Sequence, residues 1–583
     1  MLRVFPKHAH MYKVMMFMAI LDAVALCSGA DRSPSAPTAF VQHRCFVSSQ
    51  QTRLARTPLS RRPQKISSRP SMVAVTPAGV QEEELQALPT DDTFSFQGSW
   101  REMTQTQTRV STSGSKNFED VARETGGAFR SRYLGFLPAT VMSSPLADKW
   151  MVRSDFKNMF MMKLPESIRG LIGNKNIVAD NVTNSQHEFM KSLLLKAVGP
   201  STVLGIRPLA ESRTQQCMKS LERYAKTGEE FQLVPILEDL SLKIIVETYL
   251  GEVTSGELEA IREALRGMWP AMLSIPRALP WPLSKTPLAK VQPFNFGHGM
   301  KAKAEVAKVI SSVVDRRRQQ LASADQWESK YILDKILEKE QEQRVNGGPA
   351  EGELQIDEEF ILGNALVGLI AGQSTTTATL ARLVHLLAAP ELKNASEKIL
   401  EEIFTNELKQ GSEKNGGLFE NFPLVNSLTL EQARLFPALP GSFREPREDL
   451  NYNGYKIPKG VPLLFSFNPS AMSAEYYPDP ERVCPFRFLN SNPSEPSAAS
   501  GAGATRSPEE PGQPKPIMFG FGRHFCPGRE LSKMEIVIFL RSLFGKFDVH
   551  LAEGQDLRGR FLDNIAQSGV VISLSEKTVN ASG

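Results

Sequence analysis

One cysteine constrains this chain more than any other residue. Cys526 lies in Phe519-Gly520-Phe521-Gly522-Arg523-His524-Phe525-Cys526-Pro527-Gly528, among glycines, aromatic rings and two side chains that carry or can carry positive charge. Beyond it, Leu531, Met534, Val537, Leu540 and Phe544 recur at three- and four-residue steps, which predicts an amphipathic helix opening at Pro527. The sulfur then sits at a helix N-terminus, where the macrodipole and unpaired N–H groups favour negative charge. The surroundings are expected to lower the thiol pKa. Gly520, Gly522 and Gly528 let the backbone bend and approach a large flat ligand. No second cysteine follows within zinc-ribbon spacing. A solitary cysteine is most often just a buried thiol, but a single axial thiolate on haem iron fits this setting best.

The segment resembles the haem-binding signature of the cytochromes P450, F-x-x-G-x-R-x-C-x-G. Phe519, Gly522, Cys526 and Gly528 match it, and His524 stands where the family usually has Arg. His524 can still donate to a haem propionate, though imidazole is fully charged only part of the time near neutral pH. Glu431 and Arg434 lie three residues apart and so on one helical face. Alone they read as a solvated pair worth about a few tenths of a kcal/mol. They resemble the family's E-x-x-R motif, and Arg487 in Pro485-Phe486-Arg487-Phe488 resembles its P-x-R-F partner. The resemblance implies a buried cluster of Glu431, Arg434 and Arg487 behind the haem. It also gives Arg444 the place of a propionate arginine, and makes His187 and Lys191 similar to the family's W/H-x-x-x-R pair, with Lys as a point charge instead of a fork.

A long helical pattern runs from about Glu358 to Ala389 and ends at Pro390. Its middle, Ala371-Gly372-Gln373-Ser374-Thr375-Thr376-Thr377, is made of poor helix formers. Hydroxyls there are expected to bond back to carbonyls, loosen the helix and open a groove. The stretch resembles the family's oxygen-activation motif A-G-x-D/E-T-T, with Ala371 and Gly372 in place and Thr375 at the position of the Thr that holds dioxygen. Ser374 replaces the usual acid, which leaves proton delivery to water and the Ser374 and Gln373 side chains.

Together these motifs imply a mainly α-helical cytochrome P450 fold with a small β subdomain over residues 85–583. They imply haem b with Cys526 as axial iron ligand, and a monooxygenase that inserts one atom of dioxygen into a lipophilic substrate. Leu164–Gly173, the His187 segment and residues 441–460 look most like the branch of retinoic acid hydroxylases and sterol oxidases, which suggests a retinoid, apocarotenoid or sterol. No flavin or nicotinamide fingerprint is present, so electrons would come from a ferredoxin or a P450 reductase. Arg523, Arg529 and Lys533 are expected to form a basic landing surface for that donor. Two other readings are a P450-fold fatty-acid hydroperoxide isomerase or lyase, and a non-catalytic haem-binding sensor.

A net charge of +4 on 583 residues argues against nucleic acid as a partner. Five scattered cysteines give no disulfide framework. The N-terminus is built differently. Lys7 and Lys13 precede an apolar run from Val14 to Cys27 closed by Ser28, Gly29 and Ala30, which reads as a signal peptide over residues 1–30. The run is shorter than the roughly twenty apolar residues of a membrane span, yet it allows a peripheral membrane contact. From Arg32 to Gln81 there is no Asp or Glu but many Arg, Ser, Thr and Pro, a transit-peptide composition. Such a bipartite address resembles that of secondary plastids, with an endoplasmic-reticulum anchor as the alternative. Residues 490–515 form a Ser/Pro/Gly/Ala-rich insertion before the cysteine loop.

Overall fold

Local capping signals set where several of the helices begin. The structure is a computed structural model that describes residues 86–87, 127–133, 137–142, 144–157, 159–179, 182–274, 290, 295–323, 327–409, 411, 417–439, 441–466, 471, 474, 476–489, 516–555 and 568–577. The signal, transit-like and insertion segments lie outside the described residues. Helix α1 (Pro145–Phe156) opens on Ser144, whose Oγ accepts from the Ala147 N–H at 3.0 Å. After α2 (Glu166–Ile172), α3 (Asn184–Val198) opens on a capping box of Thr183 and Gln186. Next come α4 (Arg207–Thr227), α5 (Val234–Leu250) and α6 (Ser255–Met268), the last with a second capping box, Thr254 and Glu257. The helical set is completed by α7 (Phe296–Ser323), α8 (Ile332–Val345), α9 (Glu358–Ala388), α10 (Lys393–Thr405), α11 (Pro423–Leu435) and α12 (Arg529–Lys546).

Strands are few and are recruited from distant stretches. A five-stranded sheet has the order β2 (Ala128–Tyr133), β3 (Leu137–Met142), β9 (Leu463–Ser466), β6 (Gly441–Pro446) and β4 (Phe160–Met162). Only β3 and β9 pair in parallel within it. A second sheet orders β1 (Gln86–Ala87), β8 (Tyr455–Ile457) and β7 (Leu450–Tyr452); a third orders β10 (Phe547–Leu551), β11 (Val571–Glu576) and β5 (Phe231–Gln232). Helices dominate and the sheets are small, so the class read from sequence, mainly α with a small β subdomain, is the one formed.

The main core lies among the helices. Where α5 meets α9, two glycines set the distance of approach. A Cβ on Gly368 would lie 2.6 Å from the Tyr249 ring, and one on Gly372 would lie 2.5 Å from Ile245 Cγ1. Helix α12 carries buried residues on almost every face, including Leu531, Met534, Ile536, Val537, Phe539, Leu540 and Leu543. It is therefore a core helix and not the amphipathic one its spacing suggested. A smaller apolar cluster joins the sheet to the cysteine loop through Phe465 and Phe521, whose rings meet edge-on at 5.3 Å.

The α5–α9 contact yields a prediction. Gly372→Ala is expected to lower stability by about 1–3 kcal/mol through overpacking, despite alanine's better helix propensity. Adding Ile245→Ala removes the clashing atoms, so the double variant should be less destabilised than the two single losses summed. Denaturant midpoints of the four proteins read this directly, and additive losses would contradict it.

Candidate active site

Cys526 sits in a loop closed on itself. Its N–H donates to the Phe519 carbonyl at 2.8 Å, and Gly520 (φ 74°) and Gly522 (φ 59°) take left-handed conformations that only glycine adopts without strain. At Gly522 a second reason applies, because a Cβ would overlap the Asp155 carboxylate arriving from α1. Pro527 and Gly528 form a turn, and α12 begins at Arg529, slightly later than the sequence suggested. Burial pushes the free Cys526 thiol up. The Gly528 N–H and the cations Lys191 and Arg529 pull the other way without overcoming it. The expectation of a lowered thiol pKa is thereby corrected: the loop alone does not make a thiolate, and deprotonation depends on the metal that binds.

Beside the loop, cationic groups converge from three elements. On α3, Lys191 donates to the Arg523 carbonyl at 2.7 Å and lies 3.2 Å over the Phe525 ring. Burial brings its pKa down to about 7. One turn earlier His187, also buried, places its ring 4.8 Å from that of His524 and is held neutral, its pKa driven down to about 3 chiefly by burial and then by neighbouring positive charge. On β6, Arg444 is almost fully buried. It donates to the Ser442 Oγ and the Phe443 carbonyl, while its Nε has no hydrogen-bond partner and lies 3.7 Å from Asp155 Oδ1. His524 Nδ1 is 3.3 Å from the same oxygen.

The three-residue cluster read from sequence is formed. Arg434 grips Glu431 through Nε and Nη2, each at 2.8 Å, and Arg487 Nε lies 3.2 Å from both carboxylate oxygens. The Cys484 N–H adds a bond at 2.9 Å. Both guanidiniums also hold the stretch before Phe488: Arg434 donates to the carbonyls of Ala471 and Pro480, and Arg487 to those of Pro478, Asp479 and Arg482.

Helix α9 keeps its helical path through the Thr-rich stretch. Ser374 Oγ donates to the Ile370 carbonyl at 3.1 Å, Thr375 Oγ1 to that of Ala371 at 2.7 Å, and Thr379 to that of Thr375 at 3.0 Å. The back-bonding expected from the sequence is present. Ala371 is exposed and Thr375 half-buried in a helix whose flanking turns are buried, so these two residues, one turn apart, share one accessible face. Gly372 faces α5 and serves that packing contact.

The expected basic landing surface is not there. Arg529 and Lys533 are buried and donate to Glu530 at 2.9 and 3.0 Å, and Glu530 also accepts from the Leu418 N–H. Arg523 is paired with Glu188. The helix that carries Arg529 and Lys533 is a core helix, and both cations turn inward to one carboxylate. Sequence reasoning also passed over Asp155 and Glu535. Glu535 had a local signal, a carboxylate between Met534 and Ile536 in an otherwise apolar run, and burial pushes its pKa up to about 8. Asp155 had none, since its partners lie hundreds of residues away.

Haem b fits these residues. Cys526 is one free thiol on a glycine-bent loop, and among the described residues no cluster of three His, Cys, Asp or Glu competes for a metal. The buried, unpartnered Arg444 Nε and His187 Nδ1 await polar partners such as propionates.

Comparison with known proteins agrees with that fit. The family profile described as Cytochrome P450 matches residues 97–572. The β-amyrin 11-oxidase of Glycyrrhiza uralensis is 26% identical over 421 residues, 71% of this chain and 75% of the relative. The abscisic acid 8'-hydroxylase 1 of Arabidopsis thaliana is 24% identical, over 79% of this chain and 86% of the relative. Among solved structures, retinoic acid bound cyanobacterial CYP120A1 superposes with a TM-score of 0.63 at 20% identity, covering 85% of this chain and all of that one.

Glu535 supplies a pH prediction. Its folded pKa of about 8 exceeds the ordinary 4.5, so between those values the unfolded chain binds fewer protons than the folded one and stability falls as pH rises. Glu535→Gln should remove that slope and stabilise the protein near pH 8 by a few kcal/mol, on the order of 2–4. Denaturant unfolding at pH 5, 6.5 and 8 measures it; an equal effect at all three would contradict the assignment.

Proposed function

Because the chain belongs to the cytochrome P450 family, we propose that it hydroxylates an isoprenoid, of the retinoid, apocarotenoid, sterol or related terpenoid class, at the accessible face shared by Ala371 and Thr375. The chain is a haem-thiolate monooxygenase that uses a lipophilic substrate, dioxygen and an external redox partner. When bound, haem b supplies oxygen activation with electrons from that partner. Cys526 would hold the iron as thiolate, whose electron density favours oxygen activation. Arg444, Lys191, His187 and His524 would bind and orient the propionate edge, and Glu431, Arg434 and Arg487 hold the chain before Phe488 in register. On the accessible face, Thr375 Oγ1 holds a proton that now rests on the Ala371 carbonyl and can be turned away from it. Ser374 Oγ, similarly parked on the Ile370 carbonyl, is the neighbouring hydroxyl through which water can resupply it. With Ser374 in place of an acid, the relay is built from hydroxyls and water.

The observations that carry the reading are a free thiol on a glycine-bent loop and an accessible Ala371–Thr375 face on an otherwise buried helix. Support for an isoprenoid comes from the relatives' names, β-amyrin, taxane and abscisic acid oxidising enzymes among them. The experiment is a carbon-monoxide difference spectrum of the reduced protein, followed by spin-shift titrations with isoprenoids and fatty acids. Turnover is then assayed with a ferredoxin system, with a P450 reductase, and with neither. A spin shift with isoprenoids, reductant-dependent product bearing one oxygen from dioxygen, and greater loss of electrons to hydrogen peroxide in Thr375→Ala are expected. Conversion of a fatty-acid hydroperoxide without reductant would replace the proposal with an isomerase or lyase.

The same proposal places the enzyme in a plastid, with residues 1–30 as signal peptide, 31–80 as transit segment and 85–583 as the catalytic domain; the acid-free, basic stretch from Arg32 to Gln81 supports this. Residues 1–80 fused to a fluorescent reporter should deliver it to the plastid of an alga with secondary plastids. Retention in the endoplasmic reticulum would favour the anchor reading instead.

A further inference from the structure

Asp155 ends α1 inside a ring of positive groups. Its side chain is 1% exposed, its Oδ1 lies 3.3 Å from His524 Nδ1 and 3.7 Å from Arg444 Nε, and its Oδ2 is buried without a hydrogen-bond partner, packed where a Cβ of Gly522 would be. Burial pushes this carboxyl up, but the His524 hydrogen bond, the charges of Arg444 and His524 and the Arg523 N–H pull it further down, so it stays ionised. A buried carboxylate persists only where neighbours compensate its desolvation. Those neighbours are Arg444 from β6 and His524 and Arg523 from the ligand loop, with Lys191 and His187 of α3 facing the same histidine.

The position of His524 explains what this carboxylate does. An arginine at that point carries a rigid fork of donors. An imidazole can swing about its side-chain bonds, so its ring keeps one orientation reliably only if one nitrogen is tied down. Metal-site histidines are oriented by carboxylates in the same manner. We infer that Asp155 is a positioning residue for haem: through Oδ1 it holds His524 Nδ1 and faces Arg444 Nε, fixing together the two side chains that the ligand loop and β6 bring to the haem-propionate edge. Gly522 is part of the device. Its missing side chain lets the carboxylate reach past the loop to the histidine.

The inference rests on the haem-binding reading above, and a double-mutant cycle separates the two. Haem is loaded into the full chain and its transfer to excess apomyoglobin is timed for the native protein, Asp155→Ala, His524→Ala and the double variant. Asp155→Ala should speed haem loss by about tenfold in the native background and clearly less in the His524→Ala background. A residual effect through Arg444 is expected there. Asp155→Asn serves as a second variant should Asp155→Ala not fold, and the same cycle applies to it. As a readout that loop packing alone would not move, the propionate bending band in resonance Raman should shift alike in Asp155→Asn and His524→Ala. Equal acceleration in both backgrounds, or an unmoved propionate band, overturns the inference while leaving the haem reading intact. A native chain that takes up no haem overturns the reading itself.

Discussion

One buried carboxylate gripped by two guanidiniums fixes the irregular chain that leads up to Phe488. Glu431 has no exposed surface, and Arg434 and Arg487 reach it from α11 and from the segment before Phe488. Such a cluster is costly to desolvate, and removing one partner from a buried ion pair typically costs about 3–5 kcal/mol. Its return is geometric. Because the guanidiniums direct their remaining donors to carbonyls between Ala471 and Arg482, the irregular chain around Pro478 to Arg482 is pinned to a helix end. The Phe488 N–H bond to Ser427 Oγ at 3.1 Å adds a further tie.

A second anchor acts on the ligand loop. Phe521 inserts among Phe465 and the other buried residues of the sheet cluster, and Asp155 meets His524 across the missing side chain of Gly522. The loop is thus fixed by an aromatic ring in its middle and by a carboxylate near its end. These contacts come from segments hundreds of residues apart. A cysteine motif that looks local is held by the whole fold.

That division explains how much the sequence revealed. The cysteine loop, the Thr-rich stretch of α9 and the Glu431–Arg434 pair were legible because their chemistry is compressed into a few residues with fixed spacing. Strand β6 was not, because Gly441–Pro446 becomes a strand only by pairing with β9 and β4. Arg529 and Lys533 were misread for a similar reason: whether a helix face is solvated depends on what packs over it. Gly372 carried a motif assignment, yet its geometry is dictated by Ile245 on another helix. The thiol of Cys526 shows the same limit, because dipole and cations were visible in sequence whereas the burial that outweighs them was not.

The electrostatics of the propionate side complete the argument. Arg444, Lys191, His187 and His524 crowd round a single carboxylate, Asp155, and burial lowers the pKa of every one of the four. Groups whose charged forms burial disfavours are costly to gather in low dielectric, unless they serve an anionic ligand. Two propionates are a ligand of that charge. Their arrival would raise these pKa values again, because an adjacent negative charge favours the protonated form, and by linkage the same shift tightens binding. Asp155 is the exception that makes the set workable: one fixed negative charge keeps Arg444 and His524 together before the ligand comes.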